Sequence, residues 1–313
     1  LVTVSEEKKV TAFTFGLVHA PLTPFSNGTI AYDSYGKLIE FHLQHGAEGL
    51  AIPTHTGESV SLTVDERQAL LEYVIKHVGA RVPVIANVSE AGTSIAASLA
   101  AHARQAGAAA LIASVPYYWK PPQSMLVEHF AAIGASGALP FFVYNSPDEM
   151  GEMEVSSKSV IELLGRLPNF AGLIDSSLDW QYMIEVASLA RAVKSDFQFV
   201  SGTEYMISAR AIGASGLLSP LTNIAPCLVH ELYDFCRAEN YKDALSKQTE
   251  LAALQRLLRQ TGVPGLKAAA RVMGRDCGVP RPPLAAFADA EFRALAENIL
   301  AISGVNSEPR GWR

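Results

Sequence analysis

Hydroxyl, phenol and imidazole groups recur at the ends of apolar runs in this sequence. Thr54, His55, Thr56 and Glu58 close one run, Asn87 another, Tyr117 and Tyr118 a third, and Tyr144 with Asn145 a fourth. Asp175 and Ser176, then Ser201 and Glu204, then Ser219 end three more. Phenols and imidazoles pass protons when hydrogen-bonded in series, so the Thr-His-Thr element and the tyrosines form a candidate proton relay. Taken singly each signal is weak, because a strand-end tyrosine is more often a packed ring with a satisfied hydroxyl. No nucleophile elbow, P-loop or GxGxxG accompanies them, and no cofactor is expected. The eight histidines show no HExxH and no ligand-like spacing with Cys or carboxylates, so no metal is expected either. Cys227, Cys236 and Cys277 form no CxxC and read as reduced, buried thiols.

What positions these groups is a regular alternation. Apolar runs rich in Val, Ile, Leu and Phe lie at 16–25, 49–57, 82–90, 110–118, 140–147, 170–177, 198–204 and 213–223. Between them come segments of helical period, among them 32–46, 64–79, 93–107 and 157–167. Thr63 followed by Glu66 predicts a capping box, and Gly46, Gly79 and Gly107 fall where helices should stop. Nearly continuous apolar strands imply a sheet covered on both faces, hence parallel strands with helical crossovers. The expected fold is α/β, a (β/α)8 TIM barrel with a C-terminal helical extension, with a doubly wound open sheet as runner-up. Barrel active sites form where strands end, which is where the polar residues sit. After about residue 224 strand signals stop, so the barrel is assigned to 1–239 and the extension to 240–313, with SGVNSEPRGWR expected to fray.

Composition bounds the partners. The 313 residues are 49% hydrophobic and 18% charged, ample for a large core. A net charge of −6 with scattered Lys and Arg argues against nucleic acid and anionic membranes. The start, LVTVSEEKKV, lacks a basic segment followed by an apolar one, and no stretch supplies ~18 uninterrupted apolar residues. The expected address is the cytoplasm.

Order and spacing carry a resemblance. APLTPF (20–25), THTGES (54–59), VPYYWKP (115–121), VYNSP (143–147), GLIDSS (172–177) and GASGLLSPLTN (213–223) resemble, in order, motifs of the dihydrodipicolinate synthase and N-acetylneuraminate lyase family. The resemblance implies a usually tetrameric barrel enzyme acting on a small carboxylate or oxo acid. It also implies a lysine on the sixth strand that forms a Schiff base with a 2-oxo acid. Here Ile174 stands at that position, and Ile offers no amine. Lys120 and Lys267 are the alternatives for a displaced amine; Lys120 reads as a solvent-facing loop residue and Lys267 as a surface or interhelical one.

Three more departures touch the site. Family synthases carry Arg five residues after the Tyr of YNxP; counting from Tyr144 gives Glu149, which would repel a substrate anion by ~1–4 kcal/mol depending on burial. His55 replaces the first Thr of the family's Thr-Thr pair, which relays protons between the strand-five Tyr and a neighbouring subunit's Tyr. By position these are Tyr144 and Tyr118, with Tyr117 less favoured. Leu178 replaces a usual Gly and points to a reshaped pocket. Thr56, Gly57 and the Leu218 backbone match the family's carboxylate grip. The expected function is acid/base chemistry by Tyr144, His55 and Tyr118 on a small oxo- or hydroxy-carboxylate without an imine. Its alternatives are a non-catalytic carboxylate-binding or assembly homologue, and an aldolase or synthase using a displaced lysine.

Overall fold

The computed structural model describes residues 13–312; the opening stretch LVTVSEEKKV and its reading lie outside them. Eight parallel strands close into a barrel: β1 (Leu17–His19), β2 (Gly49–Ile52), β3 (Val84–Asn87), β4 (Ala110–Ser114), β5 (Phe141–Asn145), β6 (Phe170–Asp175), β7 (Gln198–Ser201) and β8 (Gly216–Ser219). Closure comes from β8 pairing with β1, Leu217 beside Leu17 and Ser219 beside His19. This is the expected barrel and excludes the open sheet. Each strand is shorter than its apolar run because the polar end leaves the sheet and becomes the loop that carries chemistry.

Side chains alternate across the sheet. Val18, Ile85, Ile112, Phe142, Ile174, Val200 and Leu218 point inward as one cluster, while their neighbours Leu17, Leu111, Val143, Leu173 and Leu217 pack outward against helices. Phe13, Phe15 and Phe142 stack edge to face below them, with centroids 5.2 to 6.0 Å apart. The barrel is therefore filled from its lower end up to the level of Ile174.

Eight helices follow the strands: α1 (Tyr32–Gln44), α2 (Val64–Val78), α3 (Thr93–Ala106), α4 (Gln123–Gly137), α5 (Ser157–Arg166), α6 (Trp180–Val193), α7 (Met206–Ala211) and α8 (Pro226–Arg237). The Thr63–Glu66 capping box starts α2, Gly79 and Gly107 cap α2 and α3, and Gly46 lies one residue past the cap of α1. The extension comprises α9 (Tyr241–Leu258), α10 (Gly262–Val272), α11 (Asp289–Leu300) and the short α12 (Ser303–Asn306). A small hairpin pairs Phe25–Ser26 with Thr29–Ile30 around Asn27 and Gly28, both at positive φ, and was not anticipated.

Two expectations about the extension are corrected. Lys267 is neither at the surface nor merely interhelical: its Nζ lies 2.6 Å from Glu58 Oε1, with both side chains almost wholly buried. Among the described residues, up to Trp312, the tail is anchored rather than frayed. Glu308 accepts from the Cys227 and Leu228 amides at the start of α8 (3.0 and 2.7 Å), satisfying free helix N–H groups. Fully buried Arg275 donates to Pro309 O and Gly311 O.

Candidate active site

A cavity of about 740 Å³ opens at the C-terminal ends of the strands. Three hydrogen-bonded seams hold its rim. In the first, Asn87 donates to Pro53 O (2.7 Å) and accepts from Ser89 Oγ (2.6 Å), which in turn accepts from Ser114 N, tying the loop after β2 to β3 and β4. In the second, Asn145 Nδ2 donates to Asp175 (2.7 Å) and Ser177 Oγ donates to the other carboxylate oxygen. Burial pushes the Asp175 carboxyl up to about 6 despite these donors. In the third, buried Glu204 accepts from Ser219 Oγ (2.5 Å), Leu221 N (3.2 Å) and Gln255 Nε2 (2.5 Å), joining β7, β8 and α9. Burial raises its carboxyl as well.

Tyr144 rises from β5 between these seams. Its hydroxyl accepts from Ser176 Oγ at 3.1 Å. Burial, reinforced by the Glu149 charge, pushes the phenol well above its ordinary value, so Tyr144 is neutral at physiological pH and available as a proton donor. His55 faces the same cavity; its carbonyl accepts from Glu58 N (2.8 Å), but its imidazole makes no hydrogen bond to Tyr144 or to any other described residue. A direct Tyr144–His55 hydrogen bond is therefore absent, although both residues line the same cavity.

The remaining expected residues divide clearly. Thr56, Leu218 and Glu149 line the cavity. The N–H groups of Thr56 and Gly57 have no protein acceptor among the described residues, and the buried Thr54 hydroxyl has no partner. Thr54 and Thr56 line the cavity and can take a carboxylate there, whereas Gly57 is not among the lining residues. Gly57 owes its type to packing, since a Cβ there would meet Pro21 O and Thr23 Oγ1 at 3.1 Å. Tyr118 lies outside the cavity, 89% exposed, with its ring against Trp119. Tyr117 is the one that lines the wall, donating to Glu90 Oε1 (2.6 Å), whose other oxygen pairs with Arg67.

Ile174 is fully buried in the inward cluster, level with Tyr144 and Val200 on the flanking strands. It seals the floor without reaching the cavity surface. No lysine is among the residues lining the cavity; Lys120 sits in the exposed loop beyond Tyr118. Leu178 does line the wall, from a left-handed backbone (φ 58°), a conformation that Gly adopts more readily.

Sequence reasoning missed the wall supplied by the extension. Gln255, Arg256, Arg259 and Gln260 face the cavity, although nothing in the α9 sequence distinguishes them from a solvated helix face. Among the described residues no three His, Cys, Asp or Glu side chains converge as metal ligands, and no helix is long and apolar enough to cross a membrane.

The geometry can be set beside known proteins. The Dihydrodipicolinate synthetase family profile matches residues 14–302. The chain belongs to this family. Among its curated relatives, the 4-hydroxy-tetrahydrodipicolinate synthase of Roseobacter denitrificans is 34% identical, with 93% of this chain and 98% of the relative covered. That of Thermoanaerobacter sp. (strain X514) is 30% identical over 92% and 96%. Among solved structures, dihydrodipicolinate synthase from Thermotoga maritima superposes with a TM-score of 0.88 at 28% identity, covering 94% of this chain and 100% of that one. The dihydrodipicolinate synthetase fold thus carries, in this member, a site rich in hydroxyl donors.

Proposed function

We propose that this family member acts on a small oxo- or hydroxy-carboxylate by acid/base chemistry without a lysine Schiff base. The observation that carries the reading is the pairing of a cavity lined by phenol, imidazole, hydroxyl and amide groups with a sealed, apolar position 174 beneath it. The substrate carboxylate fits beside Thr54 and Thr56, where the Thr56 N–H and the Thr54 hydroxyl await an acceptor. Tyr144 then serves as acid: Ser176 already donates to its oxygen, leaving the phenolic proton for a substrate oxygen. His55 faces the same space as the complementary proton acceptor. A carbonyl is a poorer electron sink than an imine, so the developing oxyanion depends on donors such as Tyr144.

A displaced lysine has less support. Lys267 Nζ is committed to Glu58 and to Val279 O (3.3 Å), and Lys120 does not line the cavity. A homotetramer in the cytoplasm accords with the family resemblance, and exposed Tyr118 suits a contact with a second copy better than one within its own chain. The missing hydrogen bond between Tyr144 and His55 favours the non-catalytic carboxylate binder as a second reading.

A thermal-shift screen of oxo and hydroxy acids, followed by turnover assays on the hits, tests the proposal. Expected are turnover that persists under borohydride with pyruvate, and a loss of about 10²–10⁴-fold in Tyr144→Phe. Ligand binding without turnover of any hit, and no effect of Tyr144→Phe on any cellular activity, would leave only the binder.

A further inference from the structure

The extension closes one side of the cavity with a helix whose charges are unevenly matched. Ala252, Gln255 and Arg256 of α9 and Arg259 at its C-cap, spaced i, i+3, i+4 and i+7, all face the cavity. The helix is anchored there by two glutamines, while Arg256 and Arg259 are exposed: Gln255 Nε2 donates to Glu204 Oε2, Gln248 Nε2 donates to Glu204 O (2.6 Å), and Gln248 accepts from Ile207 N (3.2 Å). The two arginines differ in what they meet. Arg259 Nη2 lies 2.6 Å from Asp148 Oδ2 and is neutralised there. Arg256, on the same face, has no carboxylate within 4.0 Å and no hydrogen-bond partner among the described residues. The other acidic groups of the cavity do not compensate it. Glu204 is consumed by its own donors, and Glu149 stands close enough to Tyr144 to raise the phenol.

We infer that Arg256 binds a second oxyanion of the substrate, a carboxylate or phosphate remote from the carboxylate held at Thr56. The inference rests on the proposed oxo- or hydroxy-acid reading and narrows it to dianionic acids. Glu149 repels an anion from the β5 side, whereas the guanidinium of Arg256 offers a planar fork that fits carboxylate or phosphate from the α9 side. Specificity for the far end of the substrate is thereby set by the extension rather than by the barrel.

Three probes test this by calorimetry on the intact protein: 2-oxoglutarate, 3-phosphoglycerate, and 2-oxopentanoate, which has the chain length of the first without its distal charge. Arg256→Gln should weaken whichever dianionic probe binds by about 10-fold or more, as expected for a lost charge-assisted hydrogen bond. It should leave 2-oxopentanoate within about 2-fold, and Arg256→Lys should fall between. A preference for one dianion over the other identifies the distal group as carboxylate or phosphate. If 2-oxopentanoate binds as tightly as both dianions, or Arg256→Gln weakens all three alike or none, the inference is overturned while the oxo-acid reading stands. If none of the three binds the wild-type protein, the oxo-acid reading fails and takes the inference with it.

Discussion

The interior of the barrel and the joints around it treat buried nitrogen in opposite ways. Inside, Ile174 belongs to an apolar cluster with Ile112, Val200 and Leu218, against which Tyr144 packs. Outside the sheet and beneath the extension, bases are buried but committed. Lys267 meets Glu58, Val279 O and the face of Phe25, with its amine 4.2 Å from the ring centroid. His19 and His42 meet Nδ1 to Nδ1 at 3.0 Å, and His42 Nε2 contacts Asn223 Oδ1 at 3.2 Å. Asn223 Oδ1 only accepts, so His42 carries its proton on Nε2 and accepts at Nδ1, and His19 must donate from Nδ1. The difference teaches that a buried base becomes a reagent only where it faces a cavity without a prior partner. In this chain position 174 lies just beneath the cavity floor, and Ile occupies it.

The sharpest way to break the comparison is to move an amine into the interior. Ile174→Lys should give a borohydride-stable pyruvate adduct detectable by mass. The apolar floor would lower the new amine's pKa by up to ~3–5 units and so supply a neutral nucleophile. The wild-type protein should give none. An adduct on the wild-type chain, mapped to Lys120 or Lys267, would show that a lysine judged unavailable is reactive.

Next in size is the cost of removing the committed amine. Lys267→Met should destabilise the fold by about 3–5 kcal/mol in chemical denaturation, because Glu58 is left buried without its partner. Adding Glu58→Gln should recover much of the loss. A cost below about 1 kcal/mol for the single variant would mean that the ion pair does not secure the joint.

These contrasts also mark what was legible in the sequence. The strands were, since a sheet covered on both faces needs long apolar runs, and most rim residues were, since each run ends where its strand meets the mouth; the expected Tyr118 instead lies outside the cavity that Tyr117 lines. Asn27-Gly28 carried a hairpin signal too, but strands of two residues are too short for periodicity to reveal. Lys267 was misplaced because helical period shows which face is apolar but not that an acid 209 positions earlier will meet the one charge on it. The α9 wall was invisible for the same reason: Gln255 finds Glu204 across 51 residues and Arg259 finds Asp148 across 111. The tail hid its anchor because Glu308 acts only once the amides of α8 are beside it. Local pattern exposes the sites a strand end creates, and long-range closure decides the rest.

The smallest effect probes the histidine pair, and it is carried by pH. Burial holds His42 down to about 3, and His19 lies well below its ordinary value, lowered by burial and then by His42 itself. Unfolded histidines take up a proton near ~6.5, so between there and the folded values the unfolded chain binds more protons than the native one. The pair's contribution is therefore complete above about pH 6.5 and declines on acidification, by about 1.4 kcal/mol per pH unit for each histidine. Asp175 works the other way: with its carboxyl at about 6 in the fold, it regains stability as pH falls below that point. The two trends partly cancel in the wild-type curve, which is why a difference measurement is needed. His42→Gln, which keeps an amide donor for Asn223, should lower stability at pH 7 yet flatten the slope between pH 6.5 and 4.5 by about 1.4 kcal/mol per unit relative to wild type. Parallel slopes would mean that His42 is already protonated in the native state, and the distinction between committed and available bases would no longer hold at this joint.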